Sequence, residues 1–111
     1  MDIAELQDKA VDAAKLLKAM SNESRLLILC HLAEGEMSVG ELQDRLELSQ
    51  SALSQHLALL RRHGVVSTRR SSQSIFYSLA SDPAKDIMAT MYQHFCAEKP
   101  QRKTSNRKRA A

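Results

Sequence analysis

Residues 38–79 read SVGELQDRLELSQSALSQHLALLRRHGVVSTRRSSQSIFYSL, and the order of signals in this stretch constrains the fold more than any other part of the chain. Ser38 followed three residues later by Glu41 is a capping-box signature, which predicts a short helix through Arg45 with Val39, Leu42 and Leu46 on its buried side. A turn at Glu47 and Leu48 leads to Ser49. From Ser49 to His63, Leu53, Leu57 and Leu60 form one stripe with Ala52 beside it, while Gln50, Ser51, Ser54, Gln55 and Arg62 fall largely elsewhere. The result is a helix with one packing face and one hydrogen-bonding face. Gly64 can stop it in a left-handed conformation. VVSTRR and SIFYSL then have the β-branched, aromatic and alternating character of two strands joined around residues 71–74, with Arg69 and Arg70 flanking the hairpin tip. Two short helices followed by a basic β-hairpin is the arrangement of a winged helix-turn-helix DNA reader.

The flanking segments supply the remainder of a small domain. In residues 3–20, Ile3, Leu6, Ala10, Ala13, Leu17 and Met20 recur at spacings of three and four, the pattern of an amphipathic helix. Ser21 or Asn22 can cap a second helix, and RLLILCHLA is so densely apolar that it must be surrounded on most sides before Gly35 ends it. That central core helix carries Cys30. After Asp82 and Pro83, Ile87, Met91 and Phe95 stack in one row of a last helix, with Met88, Tyr92 and Cys96 in the adjacent row. Such a wide apolar face suits a dimer seam, and a chain of 111 residues has a modest core that a dimer interface would enlarge. The expected architecture is mainly α, with five helices and a two-stranded wing, as a homodimer through the first and last helices. Residues 1–98 would form one DNA-binding and dimerisation domain. Residues 99–111, which carry six basic side chains and no apolar periodicity, would form a basic disordered tail.

Charge supports a nucleic-acid partner. The net charge of +3 conceals an asymmetry: residues 1–48 carry ten acidic and five basic side chains, whereas residues 49–81 carry four arginines and no carboxylate. The expected partner is double-stranded operator DNA, with Ser51, Ser54, Gln55 and His56 facing bases or the groove. Gln50, Arg61, Arg62, Arg69, Arg70 and Gln73 would be positioning contacts. Taken singly, each of these is an ordinary solvated residue; the ordered series of cap, short helix, polar helix and basic hairpin reverses that reading. No glycine-rich phosphate loop, HExxH, GxSxG or enforced carboxylate pair points to an enzyme, and no cofactor or metal is expected. No run approaches the roughly 18 apolar residues of a membrane span, and the acidic start lacks signal-peptide character, so a cytoplasmic location is expected. Two cysteines without a CxxC form neither a disulfide scaffold nor a zinc finger, and on their own they read as small core residues.

The segments KAMSNESRLLILCHL, SVGELQDRLELSQSALSQHLALLRRHGVV and IFYSL together resemble the ArsR/SmtB family of bacterial winged-helix repressors over nearly the whole chain. Within it, the likeness is to the dithiol sulfur-sensing group of HlyU, BigR and SqrR, in which one cysteine closes the core helix and another closes the last. The resemblance implies a homodimer, DNA binding by the second helix of the helix-turn-helix, and sulfur or redox chemistry at Cys30 and Cys96. Reactive sulfur species would then be the effector that switches operator binding off. Three alternatives remain open. The cysteines could be inert in a constitutive repressor or a HlyU-like anti-silencer. The chain could be a metal sensor with an atypical Cys/His site, or a dimeric interaction module that no longer reads DNA. The thiolate box of metal-sensing relatives would fall at residues 41–44, which read ELQD, and Asp86 and His94 lack the other ligands of the second common site. That leaves only Cys30, His31, His94 and Cys96 as candidate metal ligands.

Overall fold

The structure, a computed structural model, describes residues 2–96; the basic tail expected at 99–111 and the expected domain end at 98 lie outside them. Five α-helices and three strands follow in the order α1 (Ile3–Met20), α2 (Glu23–Ala33), β1 (Met37–Ser38), α3 (Val39–Arg45), α4 (Gln50–Arg62), β2 (Val66–Ser71), β3 (Ser74–Leu79) and α5 (Asp82–Met91). Each helix begins on a short polar side chain that accepts a backbone N–H of its first turn: Asp2, Asn22, Ser38, Ser49 and Ser81. The Ser38–Glu41 box is reciprocal, with Glu41 N–H donating to Ser38 Oγ at 3.1 Å and Ser38 N–H donating to Glu41 Oε1 at 2.9 Å. Of the two candidates before α2, Asn22 is the cap.

The core gathers around α2, whose Ile28, Leu29 and Leu32 are buried with Leu42 of α3, Leu53, Leu57 and Leu60 of α4, Val65, Val66 and Met88. Each such side chain contributes roughly 1.5–3 kcal/mol by leaving water, so the leucine stripe of α4 fixes which way its polar face points. Gly64, at φ +74°, closes that helix, and Val65 N–H donates back to Leu60 O at 2.9 Å.

Two features differ from expectation. The β2–β3 hairpin is the expected two-stranded wing, but its sheet has a further member: Met37 pairs with Tyr77 and Ser38 with Phe76, so β1 adds a third antiparallel strand in the order β1-β3-β2. A two-residue strand has no periodicity to betray it; it forms because buried Met37 ties the chain leaving α2 to the sheet. The last helix does not stay α-helical. After Met91 it widens into a five-residue π-helical turn, Tyr92–Cys96.

The hairpin turns at Ser72 and Gln73, with Ser71 opposite Ser74 and Ser72 at φ 58°. Helix α1 leaves Ile3, Leu6, Val11 and Leu17 exposed, and the end of the chain leaves Met91, Tyr92 and Phe95 exposed, the last at 78 %. These apolar faces have no partner within the described residues. No described helix is long and apolar enough to cross a membrane.

Candidate nucleic-acid interface

Helix α4 is fixed at its start before its outer face matters. The Gln43 amide donates to the Leu48 carbonyl and shapes the turn that joins α3 to α4. Ser49 Oγ then accepts from Ala52 N–H at 3.0 Å. With Leu53, Leu57 and Leu60 against the core, Ser51, Ser54, Gln55, Ala58, Arg61 and Arg62 are all exposed, and at about 100° per residue they form one continuous outward stripe. Gln50 is exposed at the start of the helix beside this stripe. Such a face fits a major groove, with serine and glutamine toward base edges and arginines toward phosphates.

His56 is set apart from that group. It lies roughly 140° around the helix from Ser51 and is half-buried, with Nδ1 3.4 Å from Arg25 Nη1 on α2. Its expected place among the outward-facing side chains is therefore not where the structure puts it, because the histidine ring flanks the leucine stripe and turns toward α2.

On the wing, Arg69 and Arg70 point to opposite sheet faces, as successive strand residues must. Arg69 stacks 4.8 Å above the Phe76 ring, and its Nε donates to Glu36 Oε1 and Oε2 at 3.0 and 2.9 Å, with Nη2 also donating to Oε1. The guanidinium holds the Glu36 carboxyl below its ordinary range, and the carboxylate in turn raises Arg69. Arg69, expected as a phosphate contact, is thus already occupied by a carboxylate. Arg70, opposite Ile75 in register, is exposed and has no carboxylate partner among the described residues, and Gln73 is exposed at the tip.

Ser54, Ala58, Arg61 and Arg62 line an open groove whose other side is formed by Val39 and Tyr77. Neither Ala58 nor Tyr77 carries a sequence signal for this role. Alanine is read as filler on a helix surface, and Tyr77 as one more aromatic in a strand; only the β1–β3 pairing brings it to the groove. Glu36 and Arg25 are similarly invisible, since their partners lie 33 and 31 residues away.

The cysteines occupy neighbouring helices. Cys30 is half-buried on α2, which packs against α5, and Cys96 is exposed at the end of the π-helical turn. Burial pushes the Cys30 thiol above its ordinary value, and the charges of Cys96 and Glu34 raise it further. Both are free thiols. Among the described residues, no three or more His, Cys, Asp or Glu side chains converge to hold a metal ion, and this includes the set Cys30, His31, His94 and Cys96.

Comparison with known proteins agrees with this geometry. A match to the family described as "Bacterial regulatory protein, arsR family" spans residues 22–68, from the cap of α2 into the wing. The transcriptional activator HlyU of Vibrio cholerae is 52 % identical over 96 residues, covering 86 % of this chain and 89 % of that protein. The biofilm growth-associated repressor of Agrobacterium fabrum is 43 % identical over 102 residues, covering 87 % of each. Among solved structures, the transcriptional repressor BigR from Xylella fastidiosa superposes with a TM-score of 0.80 at 41 % identity, covering 88 % of this chain and all of that one. These relatives are transcriptional regulators, not enzymes, and the family match takes in both α3 and α4. The chain is a member of the arsR family of bacterial regulatory proteins.

Proposed function

We propose that this chain is a homodimeric transcriptional regulator that reads operator DNA through α4 and releases it when reactive sulfur species link Cys30 to Cys96. The observation that carries the DNA reading is the outward stripe of Ser51, Ser54, Gln55, Arg61 and Arg62 in a carboxylate-free half of the chain. Gln50, Arg70 and Gln73 extend it along the helix and wing, while His56 and Arg69 act from behind it. Two copies joined through the exposed apolar faces of α1 and α5 would present two such stripes to operator half-sites about 34–36 Å apart.

The switch rests on the placement of the thiols. Exposed Cys96 is the attacking thiol, and Cys30, kept protonated by burial, closes the link. The two thiols give up two protons and two electrons. One S–S bond of the polysulfide accepts the electrons, and its halves depart as thiol or hydrosulfide. Where an inner sulfur of the polysulfide stays in the bridge, two S–S bonds break and two form, the outer sulfurs leave as thiol or hydrosulfide with the two thiol protons, and the span is longer than a plain disulfide allows, since that needs α-carbons within about 7 Å. A bridge between α2 and α5 releases DNA only insofar as it fits the non-binding arrangement better. A preference of about 1.4 kcal/mol suffices for tenfold. The relatives' names include an activator and repressors, and loss of operator binding is a step common to both outcomes.

The test is binding of the reduced protein to its own upstream DNA, repeated after polysulfide, peroxide and zinc, with intact-mass analysis of each sample. Loss of binding with polysulfide together with an intramolecular Cys30–Cys96 link is the expected result. Release that persists in Cys30→Ser or Cys96→Ser would overturn the paired-thiol switch.

A further inference from the structure

Arg25 lies where three helices meet. From the first turn of α2 its side chain folds back so that Nε donates to the Ala19 carbonyl at 2.6 Å and Nη2 to the Lys18 carbonyl at 3.4 Å. Both acceptors belong to the last turn of α1, where carbonyls lack the usual i+4 donor; the Lys18 carbonyl also accepts Ser21 N–H at 3.2 Å. The third arm, Nη1, is 3.4 Å from His56 Nδ1 on α4. The backbone N–H of Arg25 is itself fixed by Asn22 Oδ1 at 3.1 Å, so the guanidinium is placed from both ends. A guanidinium can only donate. Its contact with His56 is therefore a hydrogen bond only while Nδ1 is unprotonated, which leaves the ring proton on Nε2.

We propose that Arg25 is a positioning residue for DNA reading: it holds His56 in the Nε2-protonated tautomer and so fixes α4 against the junction of α1 and α2. This rests on the reading that α4 enters the DNA groove. The planar fork is what the task needs, because one side chain must reach carbonyls on one helix and an imidazole on another at fixed angles, which a lysine ammonium cannot do. It also ties the reading helix to α1, the helix whose exposed apolar face would meet a second copy. The same guanidinium thereby relates the position of the reading face to the spacing between half-sites.

The experiment uses the full reduced chain, a labelled duplex from its own upstream DNA, and the variants Arg25→Lys, His56→Leu and His56→Asn. His56→Leu keeps the packing but cannot accept, and Arg25→Lys keeps the charge but loses the fork; each is expected to weaken operator binding about tenfold, and the double variant to weaken it no further. His56→Asn, whose Oδ1 can accept from Arg25, is expected to bind at least about fivefold more tightly than His56→Leu. Imidazole 15N spectra should show His56 protonated at Nε2 in the wild type and a tautomer mixture in Arg25→Lys. The proposal is overturned if His56→Leu binds as the wild type does, if the two single effects multiply, or if the tautomer is unchanged in Arg25→Lys. Should Arg25→Lys fail to fold, the two His56 variants and the wild-type tautomer decide the matter. Should the wild type not prefer its operator over scrambled DNA, the DNA reading fails instead, and the tautomer of the free protein still decides whether the Arg25–His56 bond exists.

Discussion

At the scale of single residues, chemistry depends on partners that are far away in the chain. Glu36 is the clearest case: alone it is a solvated carboxylate in a loop, and in the fold it occupies the fork of Arg69. In Glu36→Gln, Arg69 loses its carboxylate and becomes available to a phosphate, so the slope of log affinity against log salt should steepen by about 0.9. An unchanged slope in an anisotropy titration would show that Arg69 does not reach DNA. Cys30 gives a prediction in pH. Its thiol is raised in the folded state, so the stabilisation it contributes is complete below the ordinary value of 9.0 and is lost as pH climbs through the higher folded value. The stability difference between wild type and Cys30→Ala should accordingly shrink above about pH 9, as read by urea unfolding.

Elements were legible in the sequence where a local rule governs them and opaque where a distant contact does. The Ser38–Glu41 box, the Leu53–Leu57–Leu60 stripe and Gly64 each act within a few residues, and α3, α4 and the hairpin lie where those signals put them. Strand β1 and the π-helical turn leave no mark in the sequence because the first is created by pairing with Tyr77 and Phe76, and the second keeps the apolar spacing of an ordinary helix. His56 differs from its expected outward place for a related reason. It is polar and follows Gln55, yet its angle of roughly 140° from Ser51 already sets it beside the leucine stripe, and the position of Arg25 shows which neighbour its ring meets. The two faces of α4 should separate cleanly on mutation. Leu57→Ala, in the buried stripe, is expected to cost about 2–5 kcal/mol of stability, measured by chemical denaturation. Ser54→Ala, on the outward face, is expected to leave stability within about 0.5 kcal/mol while weakening specific DNA binding.

For the whole molecule, the exposed apolar residues at the two ends of the chain are the dominant unsatisfied feature. Ile3, Leu6, Val11 and Leu17 on α1, and Met91, Tyr92 and Phe95 at the other end, amount to an apolar surface of the kind that marks an interface. Sedimentation of the wild type is expected to give a dimer. Phe95→Asp is expected to shift it toward monomer and to lower operator affinity, because a monomer engages one half-site without the gain from the second. A dimer that survives Phe95→Asp intact would move the seam elsewhere. In the proposed dimer Cys96, exposed one residue after Phe95, would lie beside the joint, so a link to Cys30 would alter how the two reading helices are held relative to each other.

The most direct test of the central claim, that the outward stripe of α4 reads DNA, is a fluorescence-anisotropy comparison of reduced wild type and a Ser54→Ala/Gln55→Ala variant on the chain's own upstream duplex and on a scrambled one. The wild type is expected to prefer its own DNA by a factor of about 10³ or more at physiological salt, with the variant losing most of that preference but keeping its affinity for scrambled DNA. Equal binding of both duplexes by the wild type, or a variant that discriminates as well as the wild type, would contradict it.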